Sequence, residues 1–125
     1  WLFHRHGWRR TNPVSPLIRA RYLLELAGVD FDDERDTTSD MMFLMSQMER
    51  REQLEQVAYA NDPFDAIDTI SGEVKKEYQA LQTRFASSYE SNDLDEAKQV
   101  VLKLKFFERL MGEIKQLEEK LEDDI

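Results

Sequence analysis

The feature that most limits the possible fold is a run of apolar residues at helical spacing in the second half of the chain. From Phe64 onward, apolar side chains recur at steps of three and four residues: Phe64, Ile67, Ile70, Val74, Tyr78, Leu81 and Phe85. This spacing places them along one face of an α-helix. Such a helix must bury its apolar stripe, so the segment needs at least one long partner.

A second long helix is predicted after the turn and cap at Ser91-Asn92-Asp93. Its apolar line comprises Ala97, Val100, Leu104, Phe107, Met111, Ile114 and Leu121. Phe106 lies about 100° away from Phe107 around this helix, on the flank of the line. The acidic tail from Glu118 to Asp124 predicts fraying, because the C-terminus of a helix favours cations.

A third helix is predicted over Asp40 to Tyr59, which contains no Gly or Pro and follows several candidate N-cap residues. One side of this helix carries Phe43, Leu54 and Val57, with Gln47 and Arg50 among them. The opposite side carries four apolar residues that we call the methionine stripe: Met41, Leu44, Met45 and Met48. A surface helix of a small domain needs one apolar face, so the stripe requires a second partner.

The sequence leaves the partner of the methionine stripe open. One alternative is another helix of the same domain, the commoner fate of apolar residues at helical spacing. The other is a docking surface for a separate protein, since methionine suits adaptable binding faces and this row runs into charged residues.

The overall prediction is an all-α fold, an antiparallel three-helix bundle with a short preceding helix. The long helices are expected near residues 40–60, 63–90 and 93–122. The short helix is expected to begin at Pro16 after a Ser15 N-cap and to end at Gly28. No segment has the alternating pattern of a β-strand.

Composition bounds the class of protein. The 125 residues suit one domain, and a net charge of −9 would repel phosphate backbones, so nucleic-acid binding is not expected outside the basic N-terminal arm. Without cysteine, the chain has no disulfide, no thiol nucleophile and no Cys-ligated zinc. No apolar run has the length of a membrane span, and a cytoplasmic location is expected.

No pattern of catalytic residues is present, so the chain is predicted not to be an enzyme. The two histidines, His4 and His6, stand two residues apart in the arm, which is not the spacing of helical metal ligands. The glycines are isolated and form no phosphate loop. We expect no cofactor and no metal site, and the sequence favours protein binding instead.

Four segments together carry a family resemblance. They are the stretch from Pro16 to Gly28 with its R-A-x-Y-L-L motif, Phe43 to Glu52 with F-L-M-x-Q, Leu102 to Phe107, and Gln116 to Leu121. In order and spacing they resemble the C-terminal domain of HscB, the J-type co-chaperone of bacterial iron–sulfur cluster assembly. The resemblance covers roughly residues 12 to 125.

The resemblance implies a domain, residues 16–125, that binds the cluster scaffold protein IscU and presents it to HscA, a DnaK-type chaperone. The partner-binding residues that it implies are Leu44, Met45, Met48, Glu49, Arg51, Glu52, Gln56 and Phe106. Gln56 stands where the family more often has Glu. The domain is expected to be monomeric; the alternative is a helical self-association module.

One departure from the family pattern concerns the N-terminus. HscB proteins begin with a J-domain whose His-Pro-Asp tripeptide stimulates ATP hydrolysis by the chaperone, and this sequence contains no such tripeptide. Residues 1–15 are expected to form an irregular arm rather than an intact J-domain. Stimulation of the chaperone's ATPase is therefore not expected of this chain.

Overall fold

The computed structural model describes residues 15–32 and 35–123. Within these ranges, four α-helices follow one another: α1 Pro16–Leu26, α2 Met41–Gln56, α3 Pro63–Glu90 and α4 Leu94–Asp123. A short 3-10 helix, Val57–Tyr59, extends α2. None of the described residues lies in a β-strand, and the predicted all-α fold is confirmed. The predicted irregular arm falls on residues 1–14, outside the described ranges, apart from Ser15.

Short polar side chains fix where the helices begin. Ser15 Oγ accepts a hydrogen bond from the Ile18 amide at 3.2 Å, which starts α1. The carboxylates of three aspartates accept equivalent bonds three residues ahead at the starts of the long helices: Asp40, Asp62 and Asp93. These bonds satisfy amides that have no partner inside a helix, and they bear out the caps predicted at Ser15 and within Ser91-Asn92-Asp93.

The chain contacts divide the molecule into two compact units, and α3 and α4 contribute to both. The first unit contains α1, the following loop, Gln79–Lys105 and the turn within that range. Its core includes Leu23 and Leu24 of α1 and Phe85 of α3, all buried. The Tyr89 hydroxyl donates to the Leu23 carbonyl at 3.3 Å, which ties α3 to α1.

The second unit contains α2, the first part of α3 up to Tyr78, and α4 from Phe106 onward. Its buried apolar residues come from all three helices: Leu54, Val57, Ile67, Ile70, Val74, Tyr78, Phe107, Leu110 and Ile114. The Tyr78 hydroxyl donates to Glu108, and its ring lies 6.4 Å from that of Phe107. All of the predicted partner-binding residues belong to this unit.

The structure corrects the predicted core in several places. Phe64 was expected on the buried seam of α3 but is 44% exposed. Met111 and Leu121 are only partly buried, whereas Val101, Leu102 and Lys103, off the predicted line of α4, are buried. α4 continues to Asp123, and fraying of the acidic tail stays a prediction.

Candidate protein-docking site

The surface of α2 is unusually rich in exposed methionine. The exposed fractions are 66% for Met41, 77% for Met42, 54% for Met45 and 63% for Met48. Leu44, the remaining member of the methionine stripe, is half-buried. Burying apolar side chains of this kind lowers the free energy, so a row of them exposed on one helix is a candidate contact surface for another molecule.

The opposite side of α2 holds the helix in the second unit. Phe43 makes an edge-to-face contact with Phe106, with ring centroids 5.8 Å apart and planes at 78°. It also contacts Phe107, at 5.7 Å. The same face buries Gln47 and Leu54. These contacts leave the methionine stripe on the outer side of α2.

Phe106 of α4 lies beside the inner face of α2. Its ring is half-buried and packs on Phe43, the residue that precedes Leu44. Helical spacing also places Phe106 off the core line of α4. The contact with Phe43 brings this residue of α4 next to the first turns of α2.

The polar residues predicted for the site extend from the stripe toward the C-terminal end of α2. Glu49, Glu52 and Gln56 are exposed. Arg51 is half-buried and forms an ion pair with Glu113 of α4, with its Nε 3.3 Å from Oε2. Its guanidinium also donates from Nη2 to Glu113 Oε1 at 3.4 Å. Arg51 is therefore held against α4 by a two-point contact.

The other arginine of α2 is bound inward as well. Arg50, whose side chain is 15% exposed, donates to the carboxylates of Glu73 and Glu77 on α3. Burial opposes its charge, but the hydrogen bonds and charges of these two glutamates outweigh burial and raise the pKa of the guanidinium. Both cations of α2 are thus engaged within the unit, and the outer edge of the helix is acidic.

Sequence reasoning missed Met42, which is the most exposed methionine of α2. It precedes Met45 by three residues, a spacing that places both side chains on one surface of the helix. That spacing was readable from the sequence. Met42 was missed because its side chain lies between the two opposite faces to which the apolar residues were assigned.

Other kinds of site find no support in the described ranges. In residues 15–32 and 35–123, no group of three or more histidine, aspartate or glutamate side chains is arranged to hold a metal ion. No helix described in the structure has the length and apolar character needed to span a membrane.

A comparison with protein families identifies the chain. The model of the HSCB C-terminal oligomerisation domain matches residues 39–115, which is more than half of the sequence. The chain belongs to the HscB C-terminal family. This confirms the resemblance that the sequence motifs indicated, and α2 with its methionine stripe lies wholly inside the matched range.

HscB relatives match over most of the chain. A co-chaperone protein HscB homolog of Vibrio atlanticus is 42% identical over 107 residues, covering 86% of this chain and 63% of the relative. A homolog of Pseudoalteromonas atlantica is 38% identical over 112 residues, covering 87% of this chain and 64% of the relative. The chain thus spans somewhat less than two thirds of the length of these relatives.

A solved structure agrees with the fold. Chaperone HscB from Vibrio cholerae matches with a TM-score of 0.78 and 33% sequence identity, over 86% of this chain and 62% of that protein. At this identity, the similarity supports the family as well as the all-α fold.

Proposed function

We propose that this chain is the docking domain of a co-chaperone of iron–sulfur cluster assembly. It binds the cluster scaffold protein and presents it to a DnaK-type chaperone. The observation that carries the proposal is the exposed methionine stripe on α2, with Met45 and Met48 more than half exposed. Membership of the HscB family supports the choice of partner.

The proposed contact surface has the arrangement of a protein interface. Its apolar part comprises Leu44, Met45, Met48 and Phe106, and Glu49, Arg51, Glu52 and Gln56 form its polar margin. An apolar centre with a polar, solvent-accessible rim is typical of interfaces between proteins that associate reversibly. Methionine adds side chains that adapt to the shape of the partner.

The test is replacement of Met45 by alanine. The free energy of binding to the scaffold should become about 1–3 kcal/mol less favourable, the loss expected for a central interface residue. Folding should be almost unaffected, because the Met45 side chain is 54% exposed. Isothermal titration calorimetry with the scaffold and a thermal melt of the free chain measure the two effects. A sharply lowered melting temperature with unchanged affinity would show that Met45 supports the fold instead.

Self-association is the second candidate, and the description of the matching family as an oligomerisation domain favours it. In this reading the methionine stripe contacts a second copy of the chain. Sedimentation equilibrium over a hundredfold range of concentration separates the two. A dimer that Met45→Ala dissociates would support self-association, whereas a monomer at all concentrations agrees with the scaffold-docking proposal.

A further inference from the structure

A groove lies beside the methionine stripe, between the C-terminal half of α2 and the first turns of α3. Its volume is about 820 Å³, and both of its walls belong to the second unit. The floor is apolar and is formed by Val57, Ala60, Ala66 and Ile70. Val57 and Ile70 are buried, and the two alanines are half-buried.

One rim of the groove carries only negative charge. Glu49, Glu52 and Glu55 line it from α2, and among the residues that the structure describes no Lys, Arg or His side chain lines the cavity. The three carboxylates are spaced three residues apart and exposed, and none has an ion-pair partner within the described residues. Repulsion between like charges at this spacing destabilises the helix that carries them.

The cations that would neutralise this rim are held elsewhere. Arg50 is bound by Glu73 and Glu77, and Arg51 is bound by Glu113. Neither guanidinium lines the groove. The groove therefore combines an apolar floor with an uncompensated acidic edge, and it complements a ligand that is both apolar and basic.

We propose that this groove binds a basic amphipathic helix of the protein that docks on α2. Apolar side chains of that helix occupy the floor, and its lysine or arginine residues face Glu49, Glu52 and Glu55. An amphipathic helix laid in an apolar groove is a common mode of protein recognition, and charge complementarity selects the partner. The inference rests on the proposed function, because the methionine stripe and the groove meet at Glu49 and Glu52 and contact one partner.

The experiment is a calorimetric titration of the purified scaffold protein into a matched set of variants. Glu55→Lys reverses a rim charge, and Ala66→Leu fills the floor without changing charge. Asp68→Lys is the control, because Asp68 is exposed on α3 and does not line the groove. Glu55→Lys should weaken binding by about tenfold and Ala66→Leu by roughly fivefold, while Asp68→Lys should change it by less than about twofold.

A synthetic helical peptide of leucine and lysine, with leucine along one face, tests the chemistry of the occupant directly. Labelled with fluorescein, it should bind the native chain, lose most of its affinity for Glu55→Lys, and be displaced by the scaffold. A peptide with glutamate in place of lysine should not bind. Equal binding of the lysine peptide to native chain, Glu55→Lys and Asp68→Lys would overturn the proposal.

The outcomes separate this inference from the proposed function. If Met45→Ala weakens scaffold binding while Glu55→Lys and Ala66→Leu match the Asp68→Lys control, the groove is not part of the interface and the inference fails alone. If the scaffold does not bind the native chain, both fail. Weakening by Glu55→Lys and Ala66→Leu, but not by Asp68→Lys, supports the groove as the docking site.

Discussion

Gln47 is the least expected side chain in the core of the second unit. It is 2% exposed, and both its amide nitrogen and its amide oxygen are buried with no hydrogen-bond partner among the described residues. A buried polar group left in this state costs roughly 1–3 kcal/mol. Gln47 also occupies the glutamine position of the F-L-M-x-Q motif.

Replacing Gln47 by methionine, a side chain of similar shape without the amide, should stabilise the fold. We expect the free energy of unfolding to rise by about 1–2 kcal/mol, because the penalty for burying the amide is removed. Urea denaturation followed by circular dichroism measures it. Gln53→Met, at an exposed position of the same helix, is the control. A loss of stability in Gln47→Met alone would show that the amide makes a bond that stabilises the native state.

Tyr78 gives a prediction for alkaline pH. Burial, and then the hydrogen bond to Glu108, raise the pKa of its phenol well above the ordinary value near 10. Folding therefore favours the protonated phenol. The resulting stability is complete below the pKa of the unfolded chain and is lost progressively as the pH rises above it.

The ultraviolet absorbance of tyrosinate should reveal this difference. In a titration of the native chain, Tyr78 should stay protonated at pH values where the same residue ionises in urea. Tyr78→Phe should remove the component that differs between native and unfolded chains. A native titration in which all four tyrosines ionise together, before any loss of helical dichroism, would contradict the assignment.

At the scale of helices, the acidic edge of α2 is expected to affect the rate at which the scaffold associates. The acidic edge that remains after Arg50 and Arg51 are bound inward should attract a basic surface on the scaffold. Reversing Glu52 to lysine should slow association and flatten its dependence on salt, with little change in melting temperature. Stopped-flow binding at two ionic strengths measures this, with Glu119→Lys, at an exposed position of α4, as the control. An unchanged salt slope for Glu52→Lys would assign the edge to solubility.

The features of the fold that could be predicted from the sequence are those that depend on interactions between residues close together in the chain. Ser15 and Asp40 bond to amides three positions ahead, so the starts of α1 and α2 were readable locally. The division of α2 into an inner face with Phe43 and an outer methionine stripe follows from helical spacing. The same spacing separated Phe106 from the core line of α4.

The rest depends on residues far apart in the chain. The ion pair of Arg51 with Glu113 joins positions 62 residues apart, and no local pattern indicates it. Phe64 fits the apolar stripe of α3 but is exposed. Periodicity shows which face of a helix is apolar, and it does not show how much of that face the neighbouring helices cover. The groove depends on how the end of α2 meets the start of α3, which sequence spacing leaves undetermined.

At the scale of the whole molecule, the predicted docking residues and the buried helix turn of residues 100–104 belong to different compact units. The predicted docking residues belong to the unit that contains α2. The run from Val100 to Leu104 belongs to the other unit, and all five of its residues are buried.

The burial of residues 100–104 should slow the exchange of their backbone amide hydrogens with the solvent. Amides in a buried helical turn open with a free energy near that of unfolding, so we expect those of residues 100–104 to exchange with deuterium mainly when the surrounding unit unfolds. In hydrogen–deuterium exchange followed by mass spectrometry, a peptide spanning residues 100–104 should be the slowest of the described chain. The first turn of α2, with Met41 and Met42 exposed, should exchange far sooner. The exchange rate of residues 100–104 then reports how often the unit that contains them unfolds.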